Sequence, residues 1–309
     1  MSQQTGIIST QTITRMKKTR LAPTPSGFLH LGNVLSFSIT AGLAKRAGAE
    51  ILLRIDDLDR SRMRREYLRD IFETLEFLEI PWDTGPRNEA DFLENWTQLN
   101  RMELYQQALR VLAASDSVYA CSCSRKNISL HLAGQGRCNC LEKQIPLESP
   151  NVCWRWLPEM PGIIPFSNLK NDLKTYPVPS SAKHFVVRKR DGIPSYQLAS
   201  VIDDNLYEID LVVRGADLID STLMQLVLSR HMQHSVFPNA CFHHHELLTN
   251  KSGEKLSKSA GSTSIQFLRQ NGMQASSIFE MISSMLNLKF KATNWQNLFD
   301  FWLEHNARK

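Results

Sequence analysis

Apolar positions along the chain follow two alternating spacings. Compact runs at 19–22 and 51–55 predict buried parallel strands. Between them, a Pro/Gly loop leads into a predicted helix over 32–47. Over 64–80, Tyr67, Ile71, Leu75 and Leu78 share one face of a helical period, and 99–113 repeats the amphipathic pattern. Strand, helix, strand, helix in this order predicts an α/β fold with a Rossmann-like doubly wound parallel sheet. The pattern breaks over 116–182, a proline-rich stretch with clustered cysteines, read as an inserted small domain. Strands resume at 184–188, 201–202 and 207–213, and a helix is expected over 222–231. Beyond 259 the chain reads as helical. One stripe is Ile278, Met281, Ile282, Met285 and Leu286; a second is Trp295, Leu298, Phe299 and Trp302. Both stripes read as core. The expected organisation is a leader over 1–15 and a catalytic body over 16–115 and 183–250. The body is split by the 116–182 insertion and followed by a lysine-bearing loop and helical region over 251–309.

Composition is that of a soluble globular protein: 309 residues, 42% hydrophobic and 22% charged. No apolar run is long enough to cross a membrane. The net charge of +5 is a mild bias toward an acidic partner. Its distribution is more telling. No acidic residue precedes Glu50, whereas Arg15, Lys17, Lys18, Arg20, Lys45 and Arg46 do. The first fifteen residues are polar and lack the apolar core of a secretory signal. They read as a disordered leader, or as the product of an upstream start with Met16 as the true one. A cytoplasmic location and reduced cysteines follow as expectations.

Two short motifs carry candidate chemistry. The first runs Ala22-Pro-Thr24-Pro-Ser-Gly27-Phe-Leu-His30-Leu-Gly32-Asn33, and the second Lys255-Leu-Ser-Lys258-Ser259. A helix N-terminus offers unpaired N–H groups to anions, glycines admit close approach, and His30 and Asn33 can donate hydrogen bonds. Lys255 and Lys258, three apart in a turn-prone stretch, can meet phosphates as mobile charges. Each motif alone is weak, since His30 could be a buried turn histidine and the lysines a solvated loop. Their conjunction points to a polyphosphate held at both ends.

These residues resemble the signature motifs of class I aminoacyl-tRNA synthetases, His-Ile-Gly-His and Lys-Met-Ser-Lys-Ser. Arg20-Leu-Ala22-Pro-Thr24-Pro-Ser-Gly27, Arg54-Ile-Asp56-Asp57-Leu-Asp59, the segment from Pro194 through Tyr196 to Asp204, and Asp210-Leu-Val-Val-Arg214 resemble the glutamyl members. Only 50 residues follow Ser259, and this truncated plan is similar to the glutamyl-Q tRNA(Asp) synthetase family. The resemblance implies ATP with Mg²⁺, L-glutamate, and tRNA(Asp) carrying queuosine as partners, with a monomer as the expected state. His30, Lys255 and Lys258 would then be catalytic, with Gly27, Gly32 and Asn33 also at the ATP. Arg20 and Arg214 would take the glutamate side-chain carboxylate and Asp56 its ammonium group. Tyr196, Ala22 and Thr24 would line that pocket. Asp56 stands where the family usually has Glu, and Ser200 where Asn is frequent. Even with the resemblance, Arg54, Asp56, Asp57 and Asp59 could form a surface ion-pair cluster, and Tyr196 could be core.

Cys121-Ser-Cys123 and Cys138-Asn-Cys140 can supply four thiolates to a structural Zn²⁺. The family places a Tyr where Gly134 stands, so Cys140 is expected as the fourth ligand; His131 and a lost site remain alternatives. Cys153 and Cys241 read as packing residues. The run His243-His244-His245 is not read as a metal site, because successive strand residues alternate faces. His244 aligns with a family histidine, and a nucleotide contact or a structural role are both open. The competing functions are a truncated synthetase that charges a tRNA 3′ end and an inactive zinc-bearing tRNA-binding paralogue.

Overall fold

The computed structural model describes residues 15–124, 126–130, 138–157, 162–170, 172–178, 183–232, 234–249 and 264–307. Lys255 and Lys258, and also His131, lie outside the described residues. The leading strand β1 (Lys18–Leu21) runs into a loop that ends at helix α1 (Leu31–Ala47). Strand β2 (Glu50–Leu53) and helix α2 (Arg65–Phe77) follow, then a 3-10 turn and helix α3 (Met102–Ala114). Next come strands β3 (Val118–Cys121), β4 (Cys153–Trp156), β5 (Ile163–Asn168), β6 (Leu173–Pro177) and β7 (Val186–Arg188). Helix α4 (Tyr196–Leu206), β8 (Leu211–Gly215), α5 (Ile219–Ser229) and β9 (Cys241–His245) complete the α/β body. Three helices close the described chain, α6 (Ile265–Gln270), α7 (Ala275–Met285) and α8 (Trp295–Ala307).

Six strands form one sheet in the order β2-β1-β8-β9-β5-β6, parallel except for the β5–β6 hairpin at its edge. Helix α1 lies on one face with α7 and α8, over a core that includes Leu35, Ile39, Phe279, Leu298 and Trp302. Helices α4 and α5 cover the other face through Leu198, Val201, Leu223 and Val227. Both predicted C-terminal stripes bury their anchors in the first of these cores. Gly42 lets α1 and α8 touch: a Cβ there would stand 2.0 Å from Phe299 Cγ.

A smaller antiparallel sheet, β3-β4-β7, stands apart from the large one. The two sheets interleave along the sequence. The β5–β6 hairpin, inside the 116–182 stretch, belongs to the large sheet, while β7 at 186–188 pairs with β4. Val201 and Ile202, expected in a strand, lie inside helix α4. A two-residue apolar pair has no period of its own. Here Ser195 caps the helix by accepting from the Leu198 N–H, and Val201 follows Leu198 on the buried face. The strand expected over 207–213 begins only at Leu211, after a turn in which Glu208 adopts a φ of 54°.

Candidate active site

Strand β1 has β2 on one side and β8 on the other, so chain connections leave it in opposite directions. In open α/β sheets the crevice at such a switch point, beyond the carboxyl ends of the strands, is where ligands bind. A cleft of ≈ 290 Å³ lies there. Its walls include Arg20 and Ala22 from β1 and the loop after it, His30, Gly32 and Asn33 from the start of α1, Tyr196 from α4, Arg214 from β8 and His245 from β9. Residues separated by more than 200 positions thus share one cavity.

His30 is the N-cap of α1, with extended backbone at φ −129° and ψ 172°. Its Nδ1 accepts a hydrogen bond from the Gly32 N–H at 3.1 Å, and Asn33 Oδ1 accepts from the His30 N–H at 3.0 Å. This is a capping box assembled from His and Asn rather than Ser and Glu. A neutral ring that accepts at Nδ1 carries its proton on Nε2. The capped imidazole can therefore donate through Nε2 at the positive end of the helix. Gly32 leaves room for that ring: a Cβ there would lie 3.0 Å from His30 Cε1 and 3.1 Å from Nδ1, so the ring would have to shift. Asn33 lines the cleft while its carbonyl oxygen closes the cap.

The floor is cationic. Arg20 and Arg214 are each 4% exposed. Arg20 Nε donates to Asp204 at 3.0 Å, and Asp204 also accepts from Arg54 at 2.6 Å. Arg54 grips Asp56 with two hydrogen bonds, at 2.8 and 3.1 Å. Arg214 is different. Its Nη1 donates to Gln225 Oε1 at 2.8 Å and to Thr222 at 3.3 Å, while its buried Nη2 has no partner among the described residues. Three guanidinium groups thus face two carboxylates, Asp56 and Asp204, leaving one positive charge in excess among the described residues of this cluster. Burial, and the neighbouring Arg20 and Arg54 cations, lower the pKa of Arg214, whereas Asp204 falls below the usual carboxylate range because three arginines surround it. A buried cation with an idle donor is costly unless an anion meets it. A carboxylate is the kind of anion that such a donor could receive.

The described cleft unites Arg20, Ala22, His30, Gly32, Asn33, Tyr196 and Arg214 of the predicted site. Three other predicted residues lie off its wall. Thr24 is exposed in the loop, Gly27 has open space about its Cα, and Asp56 is buried and engaged with Arg54. Burial raises the Asp56 carboxyl against the pull of Arg54. Arg54, Asp56 and Asp57 are buried, not a surface ion-pair cluster. Asp57 accepts from Thr97, the Gln98 N–H and Arg60, and Asp203 holds Arg101, Gln98 and Tyr105. Tyr196 is 44% exposed at the rim, not core.

Sequence reading assigned no role to Asp204, Thr222, Gln225, Ser36 or His245. Consecutive aspartates in an otherwise apolar helix were the available signal for the first. His244 is turned from the cleft, with its Nε2 2.8 Å from Thr222 Oγ1, so it braces Arg214 from behind. His245 does line the cleft. Its Nδ1–H donates to the Glu246 carbonyl and its Nε2 accepts from the Ser36 hydroxyl, at 2.8 and 3.0 Å.

The stretch carrying Lys255 and Lys258 has both described flanks at this cleft. Leu247 and Leu248 line it on the entry side. On the exit side Ser264 bridges to His30, and the Ile265 N–H donates to the Leu29 carbonyl at 2.8 Å.

In the small sheet, Cys121, Cys123, Cys138 and Cys140 bring their Sγ atoms within 4.8 Å of one another. Three of the Sγ–Sγ distances are 3.6, 3.7 and 3.9 Å. Tetrahedral zinc with Zn–S of about 2.3 Å requires about 3.8 Å between sulfurs, so the four thiols fit such an ion and could bind it. Cys140 belongs to this set. Arg190 ties the knuckle to the turn before α4, donating to the carbonyls of Ser122 and Cys123 at 2.7 and 2.9 Å. Cys153 and Cys241 are buried outside the four.

A switch-point cleft with a capped histidine and a cationic floor defines a nucleotide-dependent ligase of the class I aminoacyl-tRNA synthetase type. Residues 16–152 and 165–299 match the family described as tRNA synthetases class I (E and Q), catalytic domain, and the chain belongs to that family. A glutamyl-Q tRNA(Asp) synthetase of Nitratidesulfovibrio vulgaris is 34% identical over 85% of this chain and 84% of its own length. A protein of Acidithiobacillus ferrooxidans named glutamate–tRNA ligase 2 is 31% identical over 84% of this chain, which spans 56% of it. The crystal structure of a glutamate-tRNA synthetase from Elizabethkingia anophelis shares the fold at a TM-score of 0.71 and 21% identity. The chain covers 65% of that structure.

Proposed function

We propose that the chain activates L-glutamate with ATP and transfers the glutamyl group to the queuosine base in the anticodon loop of tRNA(Asp). The observation that carries the amino-acid choice is the idle Nη2 of Arg214, a buried donor awaiting a carboxylate. Arginine binds carboxylate through paired N–H groups, and Tyr196 stands at the rim to add a hydroxyl. Relatives named glutamyl-Q tRNA(Asp) synthetase at 34–36% identity, against 31% for a glutamate–tRNA ligase, support the anticodon-loop acceptor over a tRNA 3′ end.

In the first step a glutamate α-carboxylate oxygen bonds to the α-phosphorus of ATP. The bond from that phosphorus to the bridging oxygen breaks, and pyrophosphate leaves with the electron pair. Such transfers need positioning and charge neutralisation more than covalent help. The Nε2–H of His30 would bind an oxygen of the transferring phosphoryl group at the positive end of α1, and losing such a donor costs ~3–4 kcal/mol of barrier. Lys255 and Lys258 would take the pyrophosphate, a role supported by the two flanks of their stretch meeting at His30 and Leu248. Mg²⁺ bound with ATP would supply further charge neutralisation. In the second step a queuosine hydroxyl oxygen bonds to the activated carbonyl carbon and AMP leaves; no protein nucleophile takes part. The four cysteines would hold a structural Zn²⁺ that stiffens the small sheet against the RNA. Asp56 would meet the ammonium group only after release from Arg54 or through a water.

Two assays test this. Glutamate-dependent ATP–pyrophosphate exchange without tRNA should be measurable, and its absence would refute activation. Charging of tRNA(Asp) with and without queuosine, its 3′ end blocked, should succeed only on the modified tRNA. Charging that needs a free 3′ end and ignores queuosine would transfer the proposal to the truncated synthetase.

A further inference from the structure

A second cavity, ≈ 260 Å³, opens where the large sheet splays. Strand β5 pairs with β9 only through Ser167–Cys241 and Asn168–Phe242, so the outer half of β9 runs on without a neighbour on that side. The gap is walled by β5 and β6, by His243 and His244 of β9, and by Trp302 of α8. Neither the activation chemistry nor the metal knuckle uses it.

Its lining is chemically specific. Phe166 and Tyr176 stack with ring centroids 5.0 Å apart and planes within 1°. Among the described residues, the indole N–H of Trp302, which is 1% exposed, has no acceptor, and the buried Nε2 of His243 has no partner. Burial pushes His243 down to about 3, so its ring is neutral and carries no charge into the cavity. Exposed Lys170 and Lys174 stand at the rim, and no carboxylate pairs with either among the described residues. Aromatic faces, orphaned ring hydrogen-bonding groups and two unpaired ammonium groups match a flat heteroaromatic ring bearing an anion.

We propose that this cavity binds one nucleotide, its base among Phe166, Tyr176 and Trp302 and its phosphate on Lys170 and Lys174. The Trp302 indole lines the cavity, so its N–H resonance reports on a base bound there. Two sources share this chemistry, a base unstacked from the loop of a bound tRNA and a free mononucleotide. The first rests on the tRNA reading above and the second does not. The cavity also abuts His244, whose Nε2 bonds the Thr222 hydroxyl that receives Arg214, so a ligand here presses on the bracing of the glutamate cation.

The test uses the full chain labelled with ¹⁵N, the Trp302 indole resonance being assigned with Trp302→Phe. UMP is titrated, because a pyrimidine nucleotide discriminates against an adenylate cleft. A saturable shift of the Trp302 N–H is expected, with UMP affinity ~10-fold weaker in a Lys170→Ala/Lys174→Ala double variant. Both lysines are exposed, so the variant should fold, and its ATP–pyrophosphate exchange should stay within twofold of the parent. If tRNA(Asp) binding also falls ~10-fold, the nucleotide comes from the RNA; if only UMP binding falls, it is free nucleotide. An unmoved Trp302 resonance overturns the site, whether or not the lysine changes weaken tRNA, since the lysines would then be ordinary phosphate contacts. Exchange activity reports independently on the activation reading.

Discussion

Replacing Gly32 with alanine tests whether His30 is positioned by the space beside it. The added Cβ would sit 3.0 Å from Cε1 and 3.1 Å from Nδ1 of the imidazole. Carbon–carbon contact is comfortable from about 3.5 Å, so the ring must retreat by about 0.5 Å or rotate out of its cap. Losing the Gly32 N–H to Nδ1 hydrogen bond costs about 1 kcal/mol of helix capping. Alanine recovers up to about 1 kcal/mol of helix propensity. The two nearly cancel, so folding stability should hardly change. Catalysis has no such offset, because a donor displaced on this scale can lose ~10²-fold in rate. Glutamate-dependent ATP–pyrophosphate exchange should fall ~10²-fold, approaching His30→Ala, while the melting temperature stays within a few degrees. Exchange within threefold of the parent would show that the ring tolerates the methyl group and that Gly32 is not there for His30.

Other consequences are equally open to measurement. Arg214→Gln should raise the KM for glutamate ~30- to 10³-fold yet leave or even raise the melting temperature, because a buried, undercompensated cation is removed; a large fall in stability would contradict the idle-donor reading. Asp204→Asn should cost about 3–5 kcal/mol in urea unfolding by stranding Arg20 and leaving Arg54 with Asp56 alone. Because folding lowers the Asp204 pKa, its contribution is full above the unfolded carboxylate value, about pH 4, and fades as pH falls through the lower folded value. The mutant's deficit should therefore shrink below pH 4, and a deficit that grows there would reverse the assignment. Gly42→Ala should destabilise by more than about 2 kcal/mol through the Phe299 clash, with the exchange rate per folded molecule unchanged. Metal analysis should find one zinc per chain, and chelation should make residues around 121–153 more sensitive to protease while exchange persists; an absence of zinc in protein purified without chelator would remove the metal from the knuckle.

The α/β class, the helix after the Pro/Gly loop and the two C-terminal stripes were legible because each rests on a local period or a cap. So were the chemical types of the site: His30 beside a helix start, Arg20, Arg214, and two close pairs of thiols. Those residues bring their chemistry wherever the backbone places them. Helix α4 was misread at Val201 and Ile202 because its buried face carries Asp203 and Asp204, which look like solvent positions in a string of letters. Their partners Arg54, Arg20 and Arg101 are 102 residues or more away, and no local pattern announces such a pairing.

Sequence alone determined which groups are available, how the strands and helices alternate, and the charge and thiol inventory. Tertiary structure alone decided which cations are neutralised. Arg54 looks as exposed as any arginine in the chain and is buried between two aspartates, whereas Arg214 reaches the cleft with one donor unused. It also decided that His244 braces while His245 faces the cavity, and that β5 stops short enough to leave a gap beside β9. The physical reason is range. Periodicity and capping are set by neighbours within a turn or a strand, but the compensation of a buried charge depends on whatever the fold brings within a few ångströms.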